Sequence, residues 1–309
     1  MRKSLLWLSE QQKISNFVRR NSLARKFASR FIAGETVDTA VDAALELNKR
    51  KISATLDLLG ECVTKESEAA EARDIYLRML DHIAETRADS NVSLKLTQMG
   101  FDIGEDLCFA NVSMILDKAR QLNTFVRIDM ESSDYTQRTL DFFAHRLYGK
   151  YAAVTGVVIQ SCLRRSEEDV ERLIGMRARV RLCKGAYLEP PSVAFPDKAD
   201  VDRNYVRLME RLMERGNYAG LATHDERIIA RAREFAKAKA ISPERFEFQM
   251  LYGVRRDFQE NLHRQGHHVR VYIPFGSQWY PYLMRRLAER PANIAFILGN
   301  VVKEAVPGL

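Results

Sequence analysis

The chain has 309 residues, 46% of them hydrophobic and 29% charged, the composition of a water-soluble folded protein with one large domain or two small ones. No apolar run approaches the roughly 18 residues of a membrane-spanning helix, and MRKSLLWL at the start is followed by polar QQK, so the sequence reads as neither integral nor carrying a cleavable signal. Lys and Arg outnumber Asp and Glu by 48 to 41, a net charge of +7, but no basic run of five or six marks a nucleic-acid footprint; the excess leans toward an anionic surface such as a membrane. Cys62, Cys108, Cys162 and Cys183 stand far apart with no CxxC pair, which points to a reducing compartment and offers no zinc-ligand spacing.

Residues 1–50 read as an N-terminal helical segment. Gly34 stops one helix and Thr36 caps the next, and the segment is amphipathic without recognisable chemistry. From residue 51 the pattern changes. Strands are expected at 52–59, 91–97, 124–130, 154–160, 178–182, 218–223, 246–250 and 268–273. Helices fall between them near 65–87, 105–121, 134–148, 166–175, 200–215, 225–239 and 254–265. Strict strand-then-helix alternation argues for a parallel sheet, and eight repeats favour a closed α/β barrel of the (β/α)8 TIM-like type over residues 51–309. The missing G-x-G-x-x-G after the first strand weighs against a Rossmann fold, which needs close backbone approach at that turn.

In such barrels chemistry sits at the C-terminal strand ends. The residues there are Lys95, Asp129, Gln160, then Arg181, Lys184 and Tyr187, then Thr223 and His224, then Gln249, Tyr252 and Tyr272, while the strand middles read as apolar. Lys95 and Asp129 lie in apolar surroundings on neighbouring strands. A charge there must be paired, so the two are expected to pair with each other. Gly185 in RLCKGAY would let backbone approach a ligand, with Arg181 and Lys184 supplying charge for one that gains electrons, such as a flavin, or for a phosphate ester.

The run VRVYIPFGSQWYPYLMRRLAERP, residues 269–291, places Tyr282, Arg285, Arg286 and Glu289 at i, i+3, i+4 and i+7 on one helical face. Alone, that is a solvated face with an ion pair, or a pair of guanidiniums suited to a carboxylate. An eighth helix in the usual outer ring would carry both arginines roughly 18 Å from the mouth. A role at the site therefore requires this helix to lie displaced over the mouth. Gly276 would allow the turn, and the apolar segment after Pro291 would fill the vacated outer position.

The motifs SLKLT, RIDME, VVIQ, RLCKGAY, ATHD, FQMLYG and YIPFG…YPYLMRRLAERPAN, in this order, resemble the proline dehydrogenase (proline oxidase) family, in its monofunctional bacterial form. The resemblance covers about residues 50–300. It implies FAD-dependent oxidation of L-proline to Δ1-pyrroline-5-carboxylate, the first step of proline degradation to glutamate, by hydride transfer from C5 to flavin N5. It implies electrons passed to a membrane quinone, a cytoplasmic protein meeting the inner membrane face peripherally, and a pyrroline-5-carboxylate dehydrogenase as partner. Oligomeric state stays open. Carried residue by residue, it implies that Arg285 and Arg286 bind the proline carboxylate and that Glu289 orients them. Lys95, Tyr187, Tyr272 and Tyr282 surround the substrate, with Asp129 paired to Lys95. Met130, Gln160, Arg181, Lys184, Gly185, Ala186, Thr223 and His224 contact the cofactor, Arg181 near its N5. Asp129, Arg181 and Tyr272 are the expected catalytic set. The proton acceptor for the amine stays open among Lys95, Tyr272 and water. The rival reading is a Schiff-base aldolase with Lys95 or Lys184 as nucleophile.

Overall fold

A computed structural model describes residues 28–289, with side chains through Arg286. After a first helix, α1 (Val37–Asn48), strands and helices alternate: β1 (Ser53–Leu58), α2 (Glu66–Thr86), β2 (Ser90–Leu94), α3 (Glu105–Gln121), β3 (Val126–Ile128), α4 (Ser133–Phe142), β4 (Thr155–Gln160), α5 (Ser166–Gly175), β5 (Arg179–Cys183), α6 (Lys198–Arg215), β6 (Ala219–Ala222), α7 (Glu226–Ala238), β7 (Phe246–Leu251), α8 (Arg256–Arg264), β8 (Val269–Phe275) and α9 (Trp279–Glu289). The eight strands pair in parallel and in chain order, and β8 returns to β1, so the barrel is closed.

Side chains alternate across each strand. The outward set is apolar and buried beneath the helices, as with Leu56, Leu94, Ile128, Val157, Leu221 and Val271. The inward set departs from expectation. The strand middles are not apolar on this side: Thr55, Ser93, Arg127, Arg181, Glu247 and Gln249 are all buried. The strand sequences concealed this, because several carry few polar residues, as in VRI of β3 and AGLA of β6.

The last helix leaves the outer ring. Gly276 turns the chain with φ +113, a conformation that residues with a Cβ avoid, and its N–H donates to Gly34 O at 3.0 Å. Trp279, Tyr280, Tyr282, Leu283 and Met284 of α9 then bury a small cluster of their own with Ala28, Ile32 and Leu59. Leu59 lies just past the C-terminal end of β1, so α9 sits at the mouth. This agrees with the displaced helix read from the sequence.

The seam between β8 and β1 is covered by α1, which packs on β1, β8 and α2. The segment after Pro291, expected to fill the vacated outer position, lies outside the described residues. Thr36 caps α1, as expected, by a reciprocal pair of bonds with Thr39. Ala40, Val41 and Ala44 of α1 are fully buried, and Arg50, just past its end, pairs with Glu260 of α8 at 2.8 Å. Small side chains let this short helix close onto the seam. Val41→Asp would put an unpaired charge there. It is expected to lower unfolding free energy by about 3 kcal/mol or more in urea titration, and a loss below about 0.5 kcal/mol would show that α1 does not seal the barrel.

Candidate active site

Inside the barrel, side chains from strands that are not neighbours meet through the lumen. Arg181 reaches from β5 and donates through Nη1 to Asp129 Oδ1 at 2.8 Å and to Ser93 Oγ at 3.1 Å. Its Nε donates to Gln249 Oε1 at 2.5 Å. Asp129 also accepts from Ser93 Oγ at 2.6 Å and, at its other oxygen, from the Tyr272 hydroxyl at 2.7 Å. One carboxylate thus joins β2, β5 and β8, and the Arg181 guanidinium lies 5.2 Å from the centroid of the Tyr272 ring.

Lys95 does not take Asp129 as its main partner. Its Nζ donates to Asp57 Oδ1 at 2.9 Å and stands 4.0 Å from Asp129 Oδ2. The reason is competition: the Asp129 oxygens already serve Arg181, Ser93 and Tyr272. Asp57 was missed in the sequence, although a lone carboxylate inside ISATLDLL carries the same signal that singled out Lys95. Burial works against the Lys95 charge, but Asp57 and then Asp129 outweigh it and hold the ammonium well above its usual range. Burial pushes the Tyr272 phenol well up, and Asp129 adds to it. Asp57 is raised by burial and by Asp129, against the pull of Lys95.

Over this lumen, Arg285 donates to Glu61 Oε1 at 2.8 Å, and Arg286 stacks 5.3 Å from the centroid of Tyr282. Glu61 follows β1. Tyr187 follows β5, across the barrel, and its phenol is pushed up by burial and then by Glu61, with Arg285 opposing. Arg285 is therefore felt on both sides of the mouth. Glu289 belongs to α9, but its side chain lies outside the described residues.

The remaining strand ends form a second group. Gln160 is buried and donates to Glu131 O at 2.7 Å. Met130 is buried beside Asp129. Gly185 has φ +104, and a Cβ there would lie 2.3 Å from Cys162 Sγ and 3.0 Å from Gln160 Oε1. Its lack of a side chain thus serves packing against β4 before any ligand. Lys184 Nζ sits 2.5 Å from Asp202 and 3.0 Å from Asp225, and Ala186 follows half-buried. The Thr223 hydroxyl accepts from Asp225 N–H at 3.1 Å, and His224 Nε2 accepts from Leu251 N–H at 3.0 Å, which places the His224 ring against β7. A groove of about 820 Å³ opens beside Asp202 and Asp225, between α6 and α7, with Val206 and Ile228 among its lining and Lys198, Arg203 and Arg227 around it.

The family model for proline dehydrogenase matches residues 40–298. The chain belongs to the proline dehydrogenase family. A proline dehydrogenase of Deinococcus radiodurans is 40% identical over 306 residues, 98% of each chain. Proline dehydrogenase 1 of Bacillus subtilis is 38% identical over 304 residues, 98% of this chain and 100% of that one. The bifunctional protein PutA of Escherichia coli matches at 25% identity, and only 24% of its length is covered, so the likeness is to the monofunctional members of the family at full length and to one portion of the bifunctional ones. Among solved structures, proline utilization A from Bdellovibrio bacteriovorus superposes with a TM-score of 0.81 at 26% identity, over 90% of this chain and 34% of that one. The activity is proline dehydrogenation, on the fold these strands build.

Asp57→Ala removes the nearer counter-charge of a buried ammonium. It is expected to cost about 3 kcal/mol of stability by urea denaturation, and a loss under about 0.5 kcal/mol would show that Asp129 alone satisfies Lys95.

Proposed function

We propose that this chain oxidises L-proline to Δ1-pyrroline-5-carboxylate, with bound FAD taking the hydride from proline C5 at its N5 and a quinone accepting the electrons. The observation that carries the substrate half is Arg285, which already grips a carboxylate, that of Glu61, above a lumen lined with balanced charge. Glu61 holds Arg285 through one Nη1 bond, which leaves its other N–H donors, with Arg286 as the second guanidinium, for a substrate carboxylate.

The strand ends fit the cofactor. Arg181 brings a guanidinium held rigidly by Asp129 and Gln249, suited to a ring that gains negative charge. Lys184, Thr223 and the cation-rimmed groove between α6 and α7 suit the phosphates and flat ring of a dinucleotide. Met130, Gln160, Gly185, Ala186 and His224 lie on the same arc of strand ends and complete the proposed set.

The protein's own task is to place the substrate and exclude water. Tyr272 and Tyr282 supply flat walls, Tyr187 the far side, and α9 the cover. Glu289 is proposed to orient the arginine pair. Lys95 is held charged by two carboxylates and the Tyr272 phenol is held protonated, so neither takes a proton near neutral pH. The substrate amine therefore arrives deprotonated or yields its proton to water. The same charge on Lys95 removes it as a Schiff-base nucleophile, and Lys184 is committed to Asp202 and Asp225, which disfavours the aldolase reading.

For the quinone, support comes from the net charge of +7 and from the absence, among the described residues, of a helix long and apolar enough to cross a membrane. A cytoplasmic protein that meets the inner membrane face peripherally fits both. A pyrroline-5-carboxylate dehydrogenase is the proposed consumer of the product.

Purified protein is expected to be yellow and to bleach with L-proline under anaerobic conditions; colourless protein that takes up no FAD would sink the proposal. Arg285→Met and Arg286→Met should each raise KM for proline about tenfold or more with flavin content retained, and an unchanged KM would refute the clamp. Tyr272→Phe should disturb KM more than flavin content; the opposite split would place this residue on the cofactor.

A further inference from the structure

The loop that carries Glu61 is held in an unfavourable conformation. Cys62 adopts φ +56, the left-handed region, which a residue with a Cβ occupies only when its surroundings compel it. What compels it is Thr97, three residues past the end of β2. The Cys62 N–H donates to Thr97 Oγ1 at 3.0 Å, and the Val63 N–H donates to Thr97 O at 3.3 Å. Thr97 is held in turn by Glu131, two residues past Asp129. Its hydroxyl donates to Glu131 Oε1 at 2.5 Å and its N–H to Glu131 Oε2 at 3.3 Å.

A threonine hydroxyl has a single proton. With Glu131 ionised, that proton points at the carboxylate and leaves an oxygen lone pair for the Cys62 N–H. The chain Cys62 to Thr97 to Glu131 therefore has one direction, and a carboxylate at its end makes it charge-assisted. Thr97 and Glu131 are both fully or nearly fully buried, so the bond between them is shielded from competing water, while the chain ends at an exposed Cys62.

We propose that Glu131 is a positioning residue for substrate binding, acting through Thr97 to hold the strained Cys62 turn and so to set where Glu61 meets Arg285. This rests on the reading of Arg285 as the substrate-carboxylate group. The Glu131 backbone carbonyl separately holds the Gln160 amide, so changing the Glu131 side chain leaves that contact in place.

The charge on Glu131 changes in a useful range. Burial pushes its carboxyl up to about 7, against the lowering effect of the Thr97 bonds and Lys95. The charged or titratable groups around it are Glu61 and Cys62 from the β1–α2 loop, Lys95 after β2, Asp102 before α3, Cys108 of α3, Tyr135 of α4 and Tyr187 after β5. Since ionisation strengthens the clamp, KM for proline should fall as pH rises from about 6 to 8.

The test uses Glu131→Gln, Thr97→Val and Thr97→Ser in the full-length flavin-loaded protein. Glu131→Gln keeps the volume and removes the charge; its Oε1 can accept from the Thr97 N–H, but its NH2 then faces the Thr97 hydroxyl, so the charge-assisted bond from that hydroxyl is lost. Both it and Thr97→Val should raise KM for proline about tenfold at pH 8, with kcat and flavin content within about threefold of wild type. The ratio of KM in Glu131→Gln to that in wild type should fall from about tenfold at pH 8 toward one near pH 6, where the wild-type carboxyl is itself protonated. Thr97→Ser keeps the hydroxyl and should behave as wild type. Amide hydrogen exchange separates this inference from the substrate assignment, because it needs no turnover. Exchange at Cys62 should quicken about tenfold or more in Glu131→Gln and Thr97→Val, while in Thr97→Val the Val63 amide, bonded to backbone, should keep its protection. Unchanged Cys62 exchange overturns the clamp. Quickened exchange with unchanged KM overturns its role in substrate binding. Should Thr97→Val fail to fold, Glu131→Gln and Thr97→Ser decide alone.

Discussion

A charge inside a barrel lumen has little access to water, so it must find an opposite charge or, as Arg127 does, backbone carbonyls, and the architecture of this molecule follows from how those needs are met. Arg181 and Asp129 span the lumen, Lys95 and Asp57 close one side of it, and Arg270 with Glu247 form a layer beneath, linked upward through Gln249. The result is a continuous polar column from the barrel floor to its mouth. Each member is held by at least one neighbour from another strand. A barrel filled with aliphatic layers would be easier to build, but it would end at the mouth as an apolar surface with no means of gripping a charged amino acid.

The column also explains why the mouth needs a cover. Among its groups near the strand ends, Asp129 accepts from Tyr272 and lies 4.0 Å from Lys95. Helix α9 supplies that cover and its own cations at once, and Glu61 neutralises Arg285. The lid is therefore an electrostatic part of the site as well as a steric one. Its seating depends on Gly276, on the cluster around Trp279, and on a β1–α2 loop whose backbone is held against its own preference.

The barrel was legible because eight strand-then-helix periods leave few alternatives, and because the boundaries carry caps and glycines. The displacement of α9 was legible from Arg285 and Arg286, whose placement on an outer helix would serve nothing. The seat of α1 over the β8–β1 seam was not, because it buries Ala40, Val41, Ala44 and Leu47, and small apolar residues on an amphipathic helix do not announce which seam they fit. Lys95 and Asp129 stood out as charges in apolar strands and do form an ion pair, but as the longer of two, since adjacency along the sheet says nothing about Asp57 or about a guanidinium arriving from β5. Glu61 and Glu131 sit in loops and Thr97 in a short 3-10 turn, where polar residues are ordinary, and only the contacts that Thr97 makes distinguish them.

The first helix of the described chain seals the joint between the last strand and the first. During synthesis α1 emerges early, and β8 follows more than two hundred residues later. Until then the apolar stripe of α1 has only part of its final surface, and the sheet keeps two open edges. Closure thus depends on contacts of very long sequence separation, which form slowly because a large loop must close first. The edge of β1 stays unpaired until β8 arrives, and that edge, open to mispairing, is the one that α1 ends by covering.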